Sequence, residues 1–115
     1  MSIVVYIEEL TRSNTVDAAC YIERDGDTWY AHAERFENHT LLFTNKEKLL
    51  NFLGLFFEMD ATFRTTVYVV DRDEVDIDDL VDYPELFGYN DVVMDEKLLR
   101  RYINICDAEV LTENE

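Results

Sequence analysis

Between Asp71 and Glu96 the chain carries eleven carboxylates against one cation, Arg72. Eleven negative charges less one positive leave −10 in that stretch, of −16 for the whole chain. The acids are Asp71, Asp73, Glu74, Asp76, Asp78, Asp79, Asp82, Glu85, Asp91, Asp95 and Glu96. Crowded carboxylates can hold a divalent cation, act as a paired acid and base, or present negative charge to a basic partner. A calcium loop of the EF-hand type needs glycine at its sixth place and glutamate at its twelfth. Counted from Asp71 those places hold Asp76 and Asp82, and from Asp73 they hold Asp78 and Pro84, so no metal site is expected. Acid–base pairing for glycosidic chemistry could draw on any two of the eleven, which singles out none.

Other chemistry is thinly represented. His32 and His39 sit in no metal or nucleophile motif, and three glycines, Gly26, Gly54 and Gly88, build no phosphate-cradling loop. The chain is therefore read as non-enzymatic and without cofactor; a deep pocket joining His32 to convergent carboxylates would reopen the catalytic class. Cys20 and Cys106 fit neither a zinc nor a Cys-x-x-Cys spacing and read as buried free thiols. Reduced thiols point to the cytoplasm. Asn38-His39-Thr40 matches the glycosylation triplet, which carries no meaning without secretion.

The negative surface itself remains. Self-repulsion at this density opposes folding, so the charge points to a use, most simply attraction to a basic partner. Alternate residues of a strand project from one face about 6.6 Å apart, and residues four apart on a helix stand about 5–6 Å apart. Each strand of duplex DNA carries a charge about every 3.4 Å, so such carboxylates present a comparable row. The sequence thus nominates Asp71, Asp73, Glu74, Asp76, Asp78, Asp79, Asp82 and Glu85 as partner-binding groups, with Tyr83 and Phe87 as apolar anchors. Leu80, Val81, Leu86 and Tyr89 are interleaved with them. The competing interpretation is a solvated acidic loop whose apolar residues close over the core.

In size, charge and compactness the chain resembles the small acidic DNA-mimic inhibitors that mobile elements direct against host restriction enzymes, CRISPR effectors or uracil-DNA glycosylase. The resemblance is one of physical type and transfers no motif and no residue role. It implies a non-enzymatic inhibitor or regulator of a basic nucleic-acid-binding protein: a nuclease, restriction enzyme, CRISPR effector or polymerase. Two alternatives share the surface: an immunity or antitoxin protein neutralising a basic toxin, and a halophile-adapted structural domain, which the scarcity of lysine (Lys46, Lys48, Lys97) suits. Direct nucleic-acid binding and anionic membranes are disfavoured by charge, and homodimerisation is left open. No apolar run approaches the ~18 residues of a membrane span, and Glu8 and Glu9 interrupt the start, so no signal peptide is expected.

These residues need a scaffold, and 115 residues, 48% of them hydrophobic, suffice for a single core. One domain over 1–111 is expected, with a frayed tail at 112–115. The first half reads as an antiparallel meander: Ile3 to Leu10, buried on both faces at its start, Asp17 to Arg24, Thr28 to Phe36, and Thr40 to Phe43. Asp25-Gly26-Asp27 signals a hairpin, and Glu37-Asn38-His39 a second turn. Thr44-x-x-Glu47 has the form of a capping box. It precedes a helix over about 45–58 with Leu49, Leu50, Phe52, Leu53, Phe56 and Phe57 on its apolar face. Gly54 is read as permitting close approach to a strand. Thr65 to Val70 is a further strand, continued on one face by Asp71 and Asp73, and a short helical turn follows at Asp76 to Val81. A last helix spans about 95–106, with Leu98, Leu99, Tyr102, Ile103 and Cys106 inward and Glu96 paired to Arg100 at i,i+4. Asp107 to Leu111 is read as a short strand. The fold class is α+β: an antiparallel sheet of about four to five strands packed against two helices.

Overall fold

Ile3–Leu10 (β1) is a strand without a wet face, with every residue from Val4 to Leu10 buried. A strand covered on both sides belongs in the middle of a sheet, and β1 lies fourth of six. The computed structural model describes residues 3–33, 39–60 and 63–113, with the side chains of 39, 85 and 107–113 outside that description. The remaining strands are Val16–Asp25 (β2), Thr28–Ala33 (β3), His39–Phe43 (β4), Arg64–Asp71 (β5) and Asn90–Val92 (β6). All neighbours pair antiparallel in the order β4-β3-β2-β1-β5-β6. Helices Lys46–Phe56 (α1) and Ile77–Asp82 (α2) run between strands, and Glu96–Glu113 (α3) follows the last one. The architecture is α+β. The sixth strand, three residues long, is the one the sequence pattern does not reveal.

The meander follows from its hairpin. Asp25 pairs with Thr28, leaving Gly26-Asp27 as a two-residue loop. Gly26 takes φ +61, and a positive φ at the first loop residue is the requirement of a II′ turn. Alternation along β3 puts Trp29, Ala31 and Ala33 in the core and leaves Tyr30 and His32 half-buried on the other face. On the core side, Val5, Ile7, Cys20, Ile22 and Val67 meet Leu49, Leu53 and Phe56 of α1 and Leu99, Ile103 and Cys106 of α3. Leu49 and Leu53 are fully buried, each adding about 1.5–3 kcal/mol. Both cysteines are buried and free, and burial pushes the Cys20 thiol up to about 12.

Several local expectations need correction. The cap of α1 is Asn45, whose side chain accepts from the backbone N–H of Glu47 (2.8 Å) and Lys48 (3.3 Å), not Thr44. A β-carbon at Gly54 would meet Met59 at 3.7 Å, so this glycine faces its own helix's exit instead of a strand. Arg100 donates to both oxygens of Glu47 on α1, at 2.7 and 3.0 Å, tying the two helices together, and the charge of Glu96, the partner the sequence suggests, acts on it as a smaller contribution. Residues 107–111 are helical, because α3 continues the periodicity to Glu113. β3 is described as far as Ala33; the rest of the expected strand, the Glu37-Asn38 turn, the glycosylation triplet's Asn38 and residues 114–115 lie outside the described residues. No helix among the described residues is long and apolar enough to cross a membrane.

Candidate partner-binding face

On the sheet face away from α1 and α3, strand register builds one row across five strands: Thr40, His32, Tyr21, Tyr6 and Tyr68. The acidic segment folds over half of this row. β5 ends at Asp71, so Asp73 lies in a turn and does not extend the strand. That turn closes by Glu74 and Val75 N–H donation to the Asp71 carbonyl, both at 3.0 Å, while the Asp71 carboxylate accepts from Asp73 N–H at 2.9 Å. Asp76 then caps α2, accepting from Asp78 N–H at 3.0 Å. Leu80 points inward and is fully buried against Tyr6, Ala19 and Tyr68. Ala19 is the small residue beside the ring row, and its size makes room for Leu80. Val75, Ile77, Val81 and Phe87 pack around this contact.

Anchored this way, α2 turns its acids outward. Asp73, Glu74, Asp76, Asp78, Asp79 and Asp82 are exposed, and Asp71 is half-buried. Seven of the nominated carboxylates thus share one turn-and-helix unit. Three acids lie apart from it: Asp91 in β6 stands 3.8 Å from Arg64, Asp95 accepts from Leu98 N–H at 2.8 Å at the start of α3, and Glu96 sits in the first turn of α3. The Glu85 side chain lies outside the described residues. The nominated anchors divide. Tyr83 is exposed, as are Leu86 and Tyr89, whereas Phe87 is half-buried over Leu80 and helps hold the segment down.

Half of the ring row stays uncovered, and sequence reasoning missed its chemistry. His32 stacks on Tyr21 with ring centroids 4.1 Å apart and planes 12° from parallel. Its Nε2 lies 3.2 Å from Glu23 and its Nδ1 2.9 Å from the Thr40 hydroxyl. Arg72, at the acidic turn, donates to the second Glu23 oxygen. The hydrogen bond from His32, followed by the charge of Arg72, holds the Glu23 carboxyl below the ordinary carboxylate range although burial opposes it. Burial, then the Glu23 charge, pushes the Tyr21 hydroxyl up. Tyr21, His32, Ala33 and Thr40 on the sheet face Asp78, Val81 and Asp82 on α2 across a cleft of about 450 Å³. A neighbouring recess of about 370 Å³ is lined by Glu23, Arg24, Asp25, Tyr30, Arg72 and Asp73. The hairpin holds the signal that could have found this cleft, since counting outward from Gly26-Asp27 pairs Tyr21 with His32.

No family model, curated protein or solved structure matches the chain.

The acidic face differs from the other concavities. A larger one of about 810 Å³ between α1 and α3 mixes Glu47 and Glu96 with Lys97 and Arg100, and so carries no charge bias. Beneath the ring row, Glu8 is buried and accepts from the hydroxyls of Tyr6 (3.4 Å), Thr66 (3.4 Å) and Tyr68 (3.3 Å). Burial and then the Glu8 charge push the Tyr68 hydroxyl up to about 12. On the opposite face the fully buried Glu9 accepts from Glu58 and Met59 N–H, each at 2.9 Å, and secures the exit of α1. These two carboxylates are structural.

Proposed function

We propose that the chain is a non-enzymatic acidic inhibitor or regulator that docks on a basic, nucleic-acid-binding protein in place of DNA or RNA, acting in the cytoplasm. One observation carries the reading: the carboxylates of 71–82 sit outward on a unit pinned to the sheet by the buried Leu80. A solvated loop whose apolar residues close over the core would bury Leu80 as well; what favours docking is the fixed outward placement of the exposed carboxylates beside exposed Tyr83, Leu86 and Tyr89. A pinned row of charge is pre-organised, which lowers the ordering cost of association, and it steers encounter with a cationic groove. Tyr83, Leu86 and Tyr89 beside it are exposed apolar surface suited to a buried interface centre. The same surface would serve an immunity protein against a basic toxin.

The test begins with affinity purification at low salt, followed by competition for the recovered partner between this chain and duplex DNA or RNA. Displacement of nucleic acid by the chain, lost in D73N/D78N/D79N/D82N, supports the reading. Simultaneous binding of chain and nucleic acid to the partner contradicts it.

A second reading has a specific observation in its favour. Thr40, His32 and Glu23 form a hydrogen-bonded chain in which a neutral imidazole can accept the Thr40 proton, and His32 shares its cleft with Asp78 and Asp82. The carboxylates argue against acyl transfer there, because an oxyanion needs donors around it and would here meet two negative charges. Ester hydrolysis that vanishes in His32→Ala would favour this second reading.

A further inference from the structure

We infer that the cleft between α2 and the uncovered β3–β4 half of the sheet seats an arginine side chain of the partner, its guanidinium held by Asp78 and Asp82. The inference rests on the docking of a basic protein proposed above and names where that protein is gripped.

The cleft's chemistry selects this occupant. Its volume of about 450 Å³ is ample for one long side chain. Asp78 and Asp82 are four apart on α2, which places their β-carbons about 5–6 Å from one another and both side chains on one wall. The opposite wall is the stacked Tyr21–His32 pair with the Thr40 hydroxyl. A guanidinium is a planar fork of five donors that accepts aromatic stacking and sheds water more readily than an ammonium. Those properties match acceptors on one side and rings on the other. Arg72 gives an internal precedent, because its guanidinium already rests on this sheet face against Glu23, beside Tyr30. An anion would be repelled by the α2 carboxylates. A purely apolar segment would strip water from them without compensation. A metal ion is disfavoured because the described residues contain no group of three or more His, Cys, Asp or Glu side chains able to hold one.

The probe is a blocked Gly-Arg-Gly peptide, with its Gly-Lys-Gly counterpart, titrated into the full chain while the ring resonances of Tyr21 and His32 are followed by NMR. The arginine peptide should shift both rings saturably and bind about two- to fivefold tighter than the lysine peptide, the ratio an exposed cation–π contact supplies. D78N/D82N should weaken it about fivefold or more. E58Q/E96Q removes the same charge from exposed positions that do not line the cleft, and should leave the affinity within about twofold. Equal response to both peptides, or equal loss in the two double variants, overturns the inference. So do shifts confined to residues away from the cleft. If the peptides fail while a basic partner is still captured with steep salt dependence, the arginine slot is wrong and the docking face stands. If the arginine peptide binds as described but no partner yields to competition, the slot stands and the proposed function falls.

Discussion

Leu80 is the one fully buried side chain of the acidic unit, so Leu80→Ala should release that unit while leaving the sheet intact. Truncating a fully buried leucine costs about 2.7–5 kcal/mol, the larger values where the site cannot collapse. The segment has an alternative to keeping a cavity: it can detach, because its other apolar contacts, Val75, Ile77, Val81 and Phe87, are only partly buried. Its outward carboxylates also repel one another at spacings below the ~8 Å screening length at physiological salt. A loss of about 3 kcal/mol corresponds to roughly a 160-fold rise in the local opening constant. Amide hydrogen exchange reads this directly. The amide at position 80, bonded to the Asp76 carbonyl at 3.1 Å, and that of Tyr83, bonded to Asp79 at 2.8 Å, should lose protection by about that factor. Amides of Tyr6 and Ile7 in β1 should lose much less, since the molecule sheds the segment before it sheds the sheet. Partner binding should fall although no charge has been removed. Equal loss of protection in β1 and α2 would show instead that the segment unfolds only with the whole domain.

Three further outcomes follow from single residues. Glu9→Ala removes two charge-assisted bonds to the Glu58 and Met59 N–H groups, and should cost about 2–4 kcal/mol in urea unfolding. Glu9→Gln, which retains one acceptor, should cost about half of that. Glu23 has a folded-state pKa below its ordinary 4.5, so its stabilisation is complete above that value and is lost as pH falls through the lowered one. Glu23→Gln should therefore be less stable than the parent at pH 7, by less than about 1 kcal/mol given the half-exposed Arg72 partner. The difference should close in acid; a gap that widens there would reverse the sign of the argument. Gly54→Ala meets only Met59 at ordinary contact distance, so the helix-propensity gain should raise stability by about 0.5–1 kcal/mol in thermal unfolding.

The sequence patterns that proved legible were those set by local physics. The two-sided burial of β1, the hairpin at Gly26, the alternation of Trp29, Ala31 and Ala33, and the inward stripe of α3 each follow from period and turn chemistry. β6 was hidden because three residues carry too little alternation. Asn45 displaced Thr44 as the cap because one residue's shift preserves the same pattern of acids and apolar groups. The acidic run was visible, but not that Leu80 fastens it or that Phe87 is used in doing so. His32 appeared as a solitary histidine, since its partners Glu23, Tyr21 and Thr40 come from two other strands and meet it only through register. Glu8 and Glu9 lie in a strand whose burial was foreseen, yet each needed contacts with residues about 50 positions or more away to be satisfied.

Docking through the acidic face of 71–82 makes binding depend on its charge. The direct test is the Kd of the purified partner measured across rising salt, for the parent chain and for D73N/D78N/D79N/D82N. The parent should weaken by about tenfold or more between roughly 50 and 200 mM salt, and the variant should bind weakly with a much flatter dependence. Tight binding by the variant with the parent's salt dependence would contradict docking through this face.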